Sequence, residues 1–440
     1  MTLQLVDSKS LIPDDERHAS KLARGLDIVI PDLVMQHRND LSKKEQPNTK
    51  VLRRSRRKMN MINELADVIL VYIMSFLSMR QAIQTSILSK RWKNVWKQLP
   101  NLIAKSTQFP NAANFTSFLN NFLTYRNHSD SLHNIDVDYY GFIPIHLLAR
   151  LFKYGTSHNV EKITINTSGI GYHLRNFEIS NIMCGRSIRY LSLSFGLTRA
   201  KVVISHSLDL PELTHCLLRN VSFSSNDKNG NLELFSSCKK LYFLIIDCCN
   251  IIGDTNLFVS NENISKLIIR YGIDYIPMVK IQMHTPNLKS FTFAGRFGTI
   301  INRSYPLFDD NLKFLEEVNL QLWILEISRE IGETLMSWLK KFGNIYSMTL
   351  TSSTVEVITY ILNLSNIEDV CFRNMESLLL KIDPFAPTFY FPKEALQFLV
   401  KKSRCNEAIT SCEEIPLFYE GLELKTKSGI VRMHQELDLA

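Results

Sequence analysis

The sequence predicts an α+β repeat protein, with a three-helix unit near its N-terminus followed by an irregular α/β solenoid of parallel strands. Apolar residues at helical spacing crowd residues 60–102, and an apolar triplet of constant internal spacing recurs ten times beyond residue 131. The chain of 440 residues is 45% hydrophobic and 21% charged, a balance typical of globular proteins with room for two or three domains.

The first segment, residues 1–59, is polar and of mixed charge, which predicts a mostly disordered leader. It ends in a basic run made of Arg53, Arg54, Arg56, Arg57 and Lys58. One interpretation of such a run is a nuclear-localisation signal or a nucleic-acid contact, and the other is a solvated linker in front of a folded domain. The predicted localisation is therefore the nucleus, the cytoplasm or both.

The net charge of +8 is concentrated in one part of the chain. Residues 43–105 hold fourteen Lys and Arg residues against three acidic ones, a charge of +11, so the rest of the chain carries −3. A protein that grips nucleic acid along its main body carries a basic stripe there. The charge distribution therefore argues against nucleic acid as the partner of the main body.

Residues 60–102 contain three helical patterns in succession. The first has its apolar residues three and four positions apart, at Ile62, Leu65, Ile69, Ile73, Phe76 and Leu77. Ser78 lies three positions before Gln81, the spacing of a capping box, which predicts that a second helix begins there. The third pattern has one apolar face, made of Leu88, Trp92, Trp96 and Leu99. So small a unit cannot bury all of this surface in its own core, and part of it is expected to face another domain or protein.

The same segment resembles an F-box. In plant F-box/leucine-rich-repeat proteins the F-box pattern reads roughly LPDEIL…ILSFL…A..TS.LSKRW..LW. This chain matches it at Leu65–Leu70, Ile73–Leu77, Ala82, Thr85–Trp92 and Val95–Trp96. The LSKRW run is the most specific part, whereas the first half departs from the pattern, because Ala66 replaces a proline and Val68 an acidic residue.

The resemblance implies docking on a Skp-type adaptor, and through it on a cullin, within a ubiquitin ligase. The residues that it assigns to adaptor binding are Leu65, Ile69, Leu70, Ile73, Phe76, Leu77, Leu88, Ser89, Lys90, Arg91, Trp92 and Trp96. Trp92 and Trp96 fit two interpretations, since large aromatic residues fill the cores of small helical units and also anchor interfaces. Lys90 and Arg91 are expected to act as charges at the interface rim.

Residues 103–130 are predicted to form a helical linker. Within it, the segment Ala112–Arg126 has a single apolar face made of Phe115, Phe118, Leu119 and Phe122. This face is expected to pack the F-box against the segment that follows.

Residues 131–411 repeat an L-x-x-L-x-L pattern whose first apolar position recurs every 23 to 30 residues. The ten copies are Leu132/Ile135/Val137, Val160/Ile163/Ile165, Ile188/Leu191/Leu193, Leu213/Cys216/Leu218, Leu241/Leu244/Ile246, Ile264/Leu267/Ile269, Leu288/Phe291/Phe293, Leu315/Val318/Leu320, Ile345/Met348/Leu350 and Met375/Leu378/Leu380. This period is typical of leucine-rich repeats, whose stacked strands form one parallel sheet. The triplets are expected to face the core, and alternate residues such as Ser192, Thr292 and Asn319 to face the concave side.

The connections between the predicted strands differ in character. Three look helical from their apolar spacing, Phe142–Tyr154, Glu330–Phe342 and Lys393–Ser403, and two look like loops, Ser222–Asn231 and Ala294–Pro306. The repeats are irregular, as they are in the plant family that the chain resembles. Residues 412–440 are polar and are predicted to be a C-terminal cap or tail.

The sequence offers no constellation for catalysis, and no metal or cofactor is expected. No nucleophile with a base and no phosphate-binding glycine loop stands out, and the eight cysteines lack CxxC pairs. The cysteines are interpreted as buried thiols in a reducing compartment. No run of eighteen apolar residues predicts a membrane span. Asp136 and Asp138 occupy alternate strand positions, and are interpreted either as an acidic spot or as ordinary solvated charges.

The predicted function is therefore non-catalytic. By resemblance, the F-box docks the adaptor and the solenoid holds an unidentified protein that is to be ubiquitinated. The alternative is a leucine-rich-repeat interaction scaffold that works without the ligase, in the nucleus through the basic run. A small ligand on the concave face is neither supported nor excluded by any feature of the sequence.

Overall fold

The computed structural model describes residues 65–87, 89–126, 132–141, 143–168, 177–179, 184–196, 202–253, 255–271, 280–296, 306–308, 312–324, 327–364, 370–381, 392–401, 408–411 and 430–431. The predicted leader with its basic run, Leu88 and most of the predicted tail lie outside the described residues. The chain divides into two compact units, Met1–Ile165 and Asn166–Ala440.

The first unit contains five helices and the first parallel strands in its described part. The helices are α1 (Asp67–Met74), α2 (Met79–Gln84), α3 (Trp92–Val95), α4 (Ala112–Tyr125) and α5 (Ile145–Ser157), with 3₁₀ turns at Thr85–Ile87, Trp96–Gln98 and Ser106–Gln108. The strands follow in the order β1 (Asn101–Lys105), β2 (Asn134–Tyr140) and β3 (Lys162–Ser168). The predicted helix in the linker is thereby confirmed, and β1 is a strand that the sequence did not indicate.

A buried arginine connects the helices in the core of the first unit. Arg126 follows α4 and is only 1% exposed. It donates one hydrogen bond to Tyr154 Oη at 3.2 Å and another to the carbonyl of Leu99 at 3.1 Å. Because a buried charge is costly without such partners, these bonds fix the end of α4 against α5 and against the segment before β1.

The second unit is built from short strands, and the helices in its described part all lie beyond residue 328. Its strands are β4 (Phe177–Glu178), β5 (Tyr190–Ser194), β6 (Val202–Ile204), β7 (His215–Arg219), β8 (Val221–Phe223), β9 (Asn231–Glu233), β10 (Phe243–Asp247), β11 (Asn250–Ile251), β12 (Asn256–Ser260), β13 (Lys266–Arg270), β14 (Lys280–His284), β15 (Ser290–Arg296), β16 (Leu307–Phe308), β17 (Glu317–Trp323), β18 (Ser347–Thr351), β19 (Ser377–Lys381), β20 (Ala408–Ser411) and β21 (Ile430–Val431). Its described helices are α6 (Arg329–Lys341), α7 (Ser352–Leu364) and α8 (Lys393–Lys401).

One main sheet organises the second unit. Its strand order is β5-β7-β10-β13-β15-β17-β18-β19-β20-β21, and every pair from β5 to β20 is parallel. Only the last pair, β20 with β21, is antiparallel. The predicted parallel repeat strands are confirmed, since all ten predicted triplets, two of them in the first unit, coincide with strands or their flanks and each of their residues is at most 2% exposed.

The connections of the earlier repeats form sheets of their own. Two four-stranded sheets run in the orders β4-β6-β8-β11 and β9-β12-β14-β16, and their described pairs are parallel. The loop predicted at Ser222–Asn231 is therefore wrong at its start, because Val221–Phe223 is β8. The loop predicted at Ala294–Pro306 is likewise wrong at its start, because β15 continues to Arg296.

The three predicted connecting helices are confirmed with shifted ends, as α5, α6 and α8. Aromatic side chains pack around α6. The ring of Trp338 lies 5.8 Å from Phe291 and 5.5 Å from Phe293, and its Nε1 donates to the carbonyl of Pro306 at 3.1 Å. These contacts pack α6 against the second and third triplet positions of β15. In the described part of the chain, no helix is both long and apolar enough to cross a membrane.

Candidate functional site

The first helix of the segment that resembles an F-box is α1, whose apolar residues surround the helix instead of forming one stripe. Leu70, Ile73 and Met74 are at most 6% exposed and face the core. Asp67 lies in the first turn, where its carboxylate interacts favourably with the positive end of the helix dipole. The core of the small unit therefore takes up only one side of this apolar helix.

The opposite side of α1 is exposed and still apolar. Val68 is 79% exposed, Ile69 46%, Tyr72 46% and Phe76, just beyond the helix, 39%. We call these four residues the α1 outer face. The rings of Tyr72 and Phe76 meet edge to face with centroids 5.1 Å apart. Single exposed apolar residues are ordinary on protein surfaces, but a contiguous group of large ones marks an interaction site.

The capping box predicted at Ser78 is confirmed. The backbone N–H of Gln81 donates to Ser78 Oγ at 3.3 Å, and the Ser78 N–H donates to Gln81 Oε1 at 2.9 Å. These two bonds begin α2 and fix the turn that follows α1. Ile87, at the end of the next 3₁₀ turn, is a further exposed apolar residue at 48%.

Arg91 connects the second half of the F-box to the start of α1. Its Nε and Nη2 donate to Asp67 Oδ1 at 2.8 and 2.6 Å, and Nη2 also donates to the carbonyl of Leu65. Both side chains are partly exposed, so the pair contributes modestly to stability but holds the N-terminus of α1 in a fixed orientation. The sequence predicted a rim charge at Arg91 and did not indicate this intramolecular pairing.

Trp92 and Trp96, the two tryptophans of this helical segment, are core residues. Trp92 is 1% exposed and Trp96 7%. Trp96 Nε1 donates to the carbonyl of Lys93 at 3.0 Å, and its ring lies 5.7 Å from Phe122 on α4. Their burial agrees with the interpretation of both tryptophans as core residues of the small helical unit rather than as exposed interface anchors.

The other residues assigned to adaptor binding divide by burial. Ile69, Phe76 and Lys90 are exposed, Leu65, Ser89 and Arg91 are half-buried, and Leu70, Ile73 and Leu77 are buried, while Leu88 lies outside the described residues. The assignment to adaptor binding stays a prediction for all of them. Val68, Tyr72 and Ile87 are exposed apolar neighbours that sequence reasoning left out of the site. The signal for Val68 and Tyr72 was the uninterrupted apolar run of α1, to which Ile87 does not belong.

Ionisable groups elsewhere in the described chain include a small polar cluster, in which Ser205 Oγ donates to Glu178 Oε1 and lies 2.9 Å from His206 Nδ1. No group of three or more His, Cys, Asp or Glu residues of the described chain is placed to hold a metal ion. Burial raises the pKa of Asp136, and Asp138 raises it further, whereas Lys162 and Lys105 lower it.

The six described cysteines divide into three groups, and one of them, Cys248, is only partly buried. Cys216, Cys238 and Cys249 are buried thiols as predicted, but the prediction is wrong for Cys184 and Cys371, which are exposed. Burial raises the pKa of Cys238 to about 12 and holds those of Cys216 and Cys249 well above their usual range. Such protonated thiols are poor nucleophiles and poor metal ligands.

Comparison with known proteins covers both parts of the chain. The F-box domain model matches residues 62–103. An F-box/LRR-repeat protein of Arabidopsis thaliana is 24% identical over 353 residues, which is 74% of this chain and 85% of that protein. Another from the same plant is 26% identical over 312 residues, 68% of this chain and 67% of the relative. An F-box/FBD/LRR-repeat protein of Arabidopsis is 39% identical over 77 residues, a match that spans only 15% of that protein.

The helical unit with its exposed α1 face thus coincides with the F-box match, and the similarity to the longer-matching relatives spans about two thirds to three quarters of the chain. These findings support a resemblance to the plant F-box/leucine-rich-repeat proteins over much of the chain.

Proposed function

We propose that this protein is the substrate-recognition subunit of a Skp-cullin-F-box ubiquitin ligase, in which the α1 outer face docks the Skp-type adaptor. The observation that carries the proposal is a contiguous apolar face, exposed in the free chain, within the F-box match. The F-box match also holds five basic residues against two acidic ones, a surplus that favours an acidic partner surface.

The exposed fractions set the size of the expected effect. Full burial of one large apolar side chain is worth about 1.5–3 kcal/mol. Ile69 and Tyr72 are about half exposed, so docking would gain about 1 kcal/mol from each, with similar terms from Val68 and Phe76. A face of this kind supports a specific interface, in which a few anchors carry most of the affinity.

The buried F-box residues have a different role in this proposal. The buried side of α1 is held in the core by Leu70, Ile73 and Trp92. Arg91 orients the first turn of α1 through its ion pair with Asp67. Substitution of these residues would weaken docking by disordering the helix that presents the outer face. The proposal therefore separates residues that touch the adaptor from residues that support the contact.

The repeat sheet holds the protein to be ubiquitinated. Its contribution is proximity, because a bound substrate lysine meets a conjugating enzyme of the complex at a raised effective concentration. No covalent step on this chain is part of the mechanism. We place the complex in the nucleus, the cytoplasm or both, with the basic run Arg53–Lys58 as the import signal.

Reconstitution tests the proposal. The full chain is mixed with a purified Skp-type adaptor and a cullin, and the mixture is separated by size-exclusion chromatography. We expect one complex that contains all three proteins, and none with the cullin when the adaptor is omitted. A folded chain that elutes apart from the adaptor would contradict the ligase function, and the alternative of a ligase-independent interaction scaffold would replace it.

A further inference from the structure

Three apolar side chains lie side by side on the open face of the main sheet of the second unit, the face turned away from the triplet core. Leu217 on β7 is in register with Ile245 on β10, which is in register with Ile268 on β13. We call these three residues the apolar strip. The same row continues into Ser192 on β5 and Thr292 on β15, so hydroxyl groups bound the strip on both sides.

The dimensions of the apolar strip follow from sheet geometry. Neighbouring strands lie about 4.8 Å apart, so the three side chains span about 10 Å across the sheet. Leu217 and Ile245 are half-buried, and Ile268 is 8% exposed. A row on the open face of a repeat sheet is ordinarily polar, as Ser192 and Thr292 are. An apolar interruption of this size fits one or two large apolar side chains of a partner.

Aromatic rings border the strip at the strand beginnings. Tyr190, His215 and Phe243 occupy one row on successive strands, which we call the aromatic row. The rings of Tyr190 and His215 stack with centroids 5.9 Å apart, and His215 meets Phe243 edge to face at 5.8 Å. Lys266 continues the row, with its Nζ 5.3 Å from the centre of the Phe243 ring.

Charged side chains border the strip at the strand ends. Arg219, Asp247 and Arg270 are in register on β7, β10 and β13, and we call them the charged row. Arg219 Nε lies 3.6 Å from Asp247 Oδ2, so this carboxylate is already paired. Among the described residues, Arg270 and Lys266 form no ion pair. The surroundings of the strip therefore carry a surplus of positive charge.

We propose that this part of the sheet binds an extended acidic segment of a partner protein, which presents a large apolar side chain to the strip and a carboxylate to Arg270. Residues two apart on an extended chain lie about 6.6 Å apart on the same face. That distance equals the step along each strand from the apolar strip to the charged row. The inference rests on the proposed function, because it specifies the class of substrate that the receptor holds.

The same residues do not suit nucleic acid. Binding of a single strand combines a continuous positive groove with aromatic stacking platforms. Here the carboxylate of Asp247 lies in the middle of the charged row, and the apolar strip separates that row from the rings. A phosphate backbone along either row would meet an acidic or an apolar neighbour.

Two matched peptide pools test the proposal. Both are fluorescent twelve-residue pools with a fixed leucine, and the residue two positions on either side is glutamate in one pool and lysine in the other. Binding to the full chain is measured by fluorescence polarisation, with the oligonucleotide dT12 as a third probe. We expect the acidic pool to bind at least about fivefold more tightly than the basic pool and than dT12.

Variants of the same row serve as controls. Arg270→Glu should reverse the preference between the pools, and Ile245→Thr should weaken the acidic pool about tenfold. Lys381→Glu and Leu379→Thr on β19 occupy the same two rows away from the strip and should change neither result. Each variant is first shown to keep its thermal melting profile and its adaptor affinity.

The inference would be overturned if the two pools bound equally, if dT12 bound more tightly than the acidic pool, or if no probe bound. It would also be overturned if Arg270→Glu kept the original preference between the pools, if Ile245→Thr left the affinity for the acidic pool unchanged, or if the β19 variants lost as much affinity as the strip variants. Adaptor affinity is measured on the same samples. Its absence would contradict the proposed function, whatever the peptide result, so the two failures are distinguishable.

Discussion

Gly295 in β15 is a position where the repeat sheet tolerates a side chain poorly. Its φ of +147° is a conformation that L-residues rarely adopt. A Cβ added there would lie 2.8 Å from Tyr271 Cβ, 3.1 Å from its backbone nitrogen and 3.2 Å from its carbonyl oxygen. Two of these three neighbours are backbone atoms, so Tyr271 cannot move away by a rotamer change.

Gly295→Ala therefore has two costs. Backbone strain of this kind is worth about 1–3 kcal/mol. Overpacking against Tyr271 adds about 1–3 kcal/mol, because β15 must move away from the segment that follows β13. Gly253 provides the control in the same unit, with a φ of +67° and no atom within 4 Å of an added Cβ. Gly253→Ala should cost only about 1–2 kcal/mol.

The assay is hydrogen–deuterium exchange in increasing urea, read on peptides that cover β13 and β15. We expect Gly295→Ala to lower the free energy of opening of these strands by at least about 1 kcal/mol more than Gly253→Ala does. If the two variants were equally destabilised, the close approach of Gly295 to Tyr271 would add no cost to the substitution. The reasoning about the contact between β15 and Tyr271 would then be wrong.

Four further predictions concern helix packing, cysteine reactivity, the pH dependence of stability and localisation. An added Cβ at Gly332 on α6 overlaps the side chain of Ile361 on α7. In urea unfolding, the double variant Gly332→Ala/Ile361→Ala should therefore lose about 1–2 kcal/mol less unfolding free energy than the sum of the two single variants. Strictly additive losses would contradict this contact. Native protein at pH 8 should react with a disulfide reagent at Cys184 and Cys371 but not at the buried thiols, as read by mass spectrometry. Burial raises the folded-state pKa of those thiols, so their contribution to stability is complete below their unfolded pKa of about 8.5 and should decrease as the pH rises above it. Unfolding midpoints that stay constant when the pH is raised from 8 to 10 would contradict this. A fluorescent fusion should lose nuclear signal when Arg53, Arg54, Arg56, Arg57 and Lys58 become alanine, and unchanged distribution would remove the import role.

The main sheet was predictable because its period is long and its pattern simple. Each triplet repeats the same spacing, and one repeat cannot bury its apolar face without its neighbours. The two smaller sheets were not predictable, because their strands are only two to five residues long and lie within connections of variable length. β1 was missed for the same reason, as five residues directly after the F-box helices.

Helix α7 was not predicted from the sequence because its residues favour a β-strand. Ser352–Leu364 reads SSTVEVITYILNL, which is rich in β-branched residues and apolar on several sides. Such a segment has high strand propensity. Its helical conformation is stabilised by packing against β18 and the neighbouring helices. Tertiary contacts with α6 and α8 therefore override the local preference.

At the F-box, the sequence located the site but not its exposed side. Since α1 is apolar all round, periodicity cannot distinguish Leu70, which faces the core, from Val68 and Tyr72, which face outward. Trp92 was equally ambiguous from sequence, and its 1% exposure makes Trp92→Ala a test of folding more than of binding. The outer-face residues are the informative substitutions.

The most direct test of the central claim is the affinity of the full chain for a Skp-type adaptor, measured by isothermal titration calorimetry. Tyr72→Ala/Phe76→Ala should weaken binding at least about thirtyfold, because loss of interface anchors costs about 2 kcal/mol or more. Tyr125→Ala and Phe314→Ala remove exposed aromatic rings elsewhere and should stay within about twofold of the wild type. A folded double variant with wild-type affinity would contradict docking through the α1 outer face.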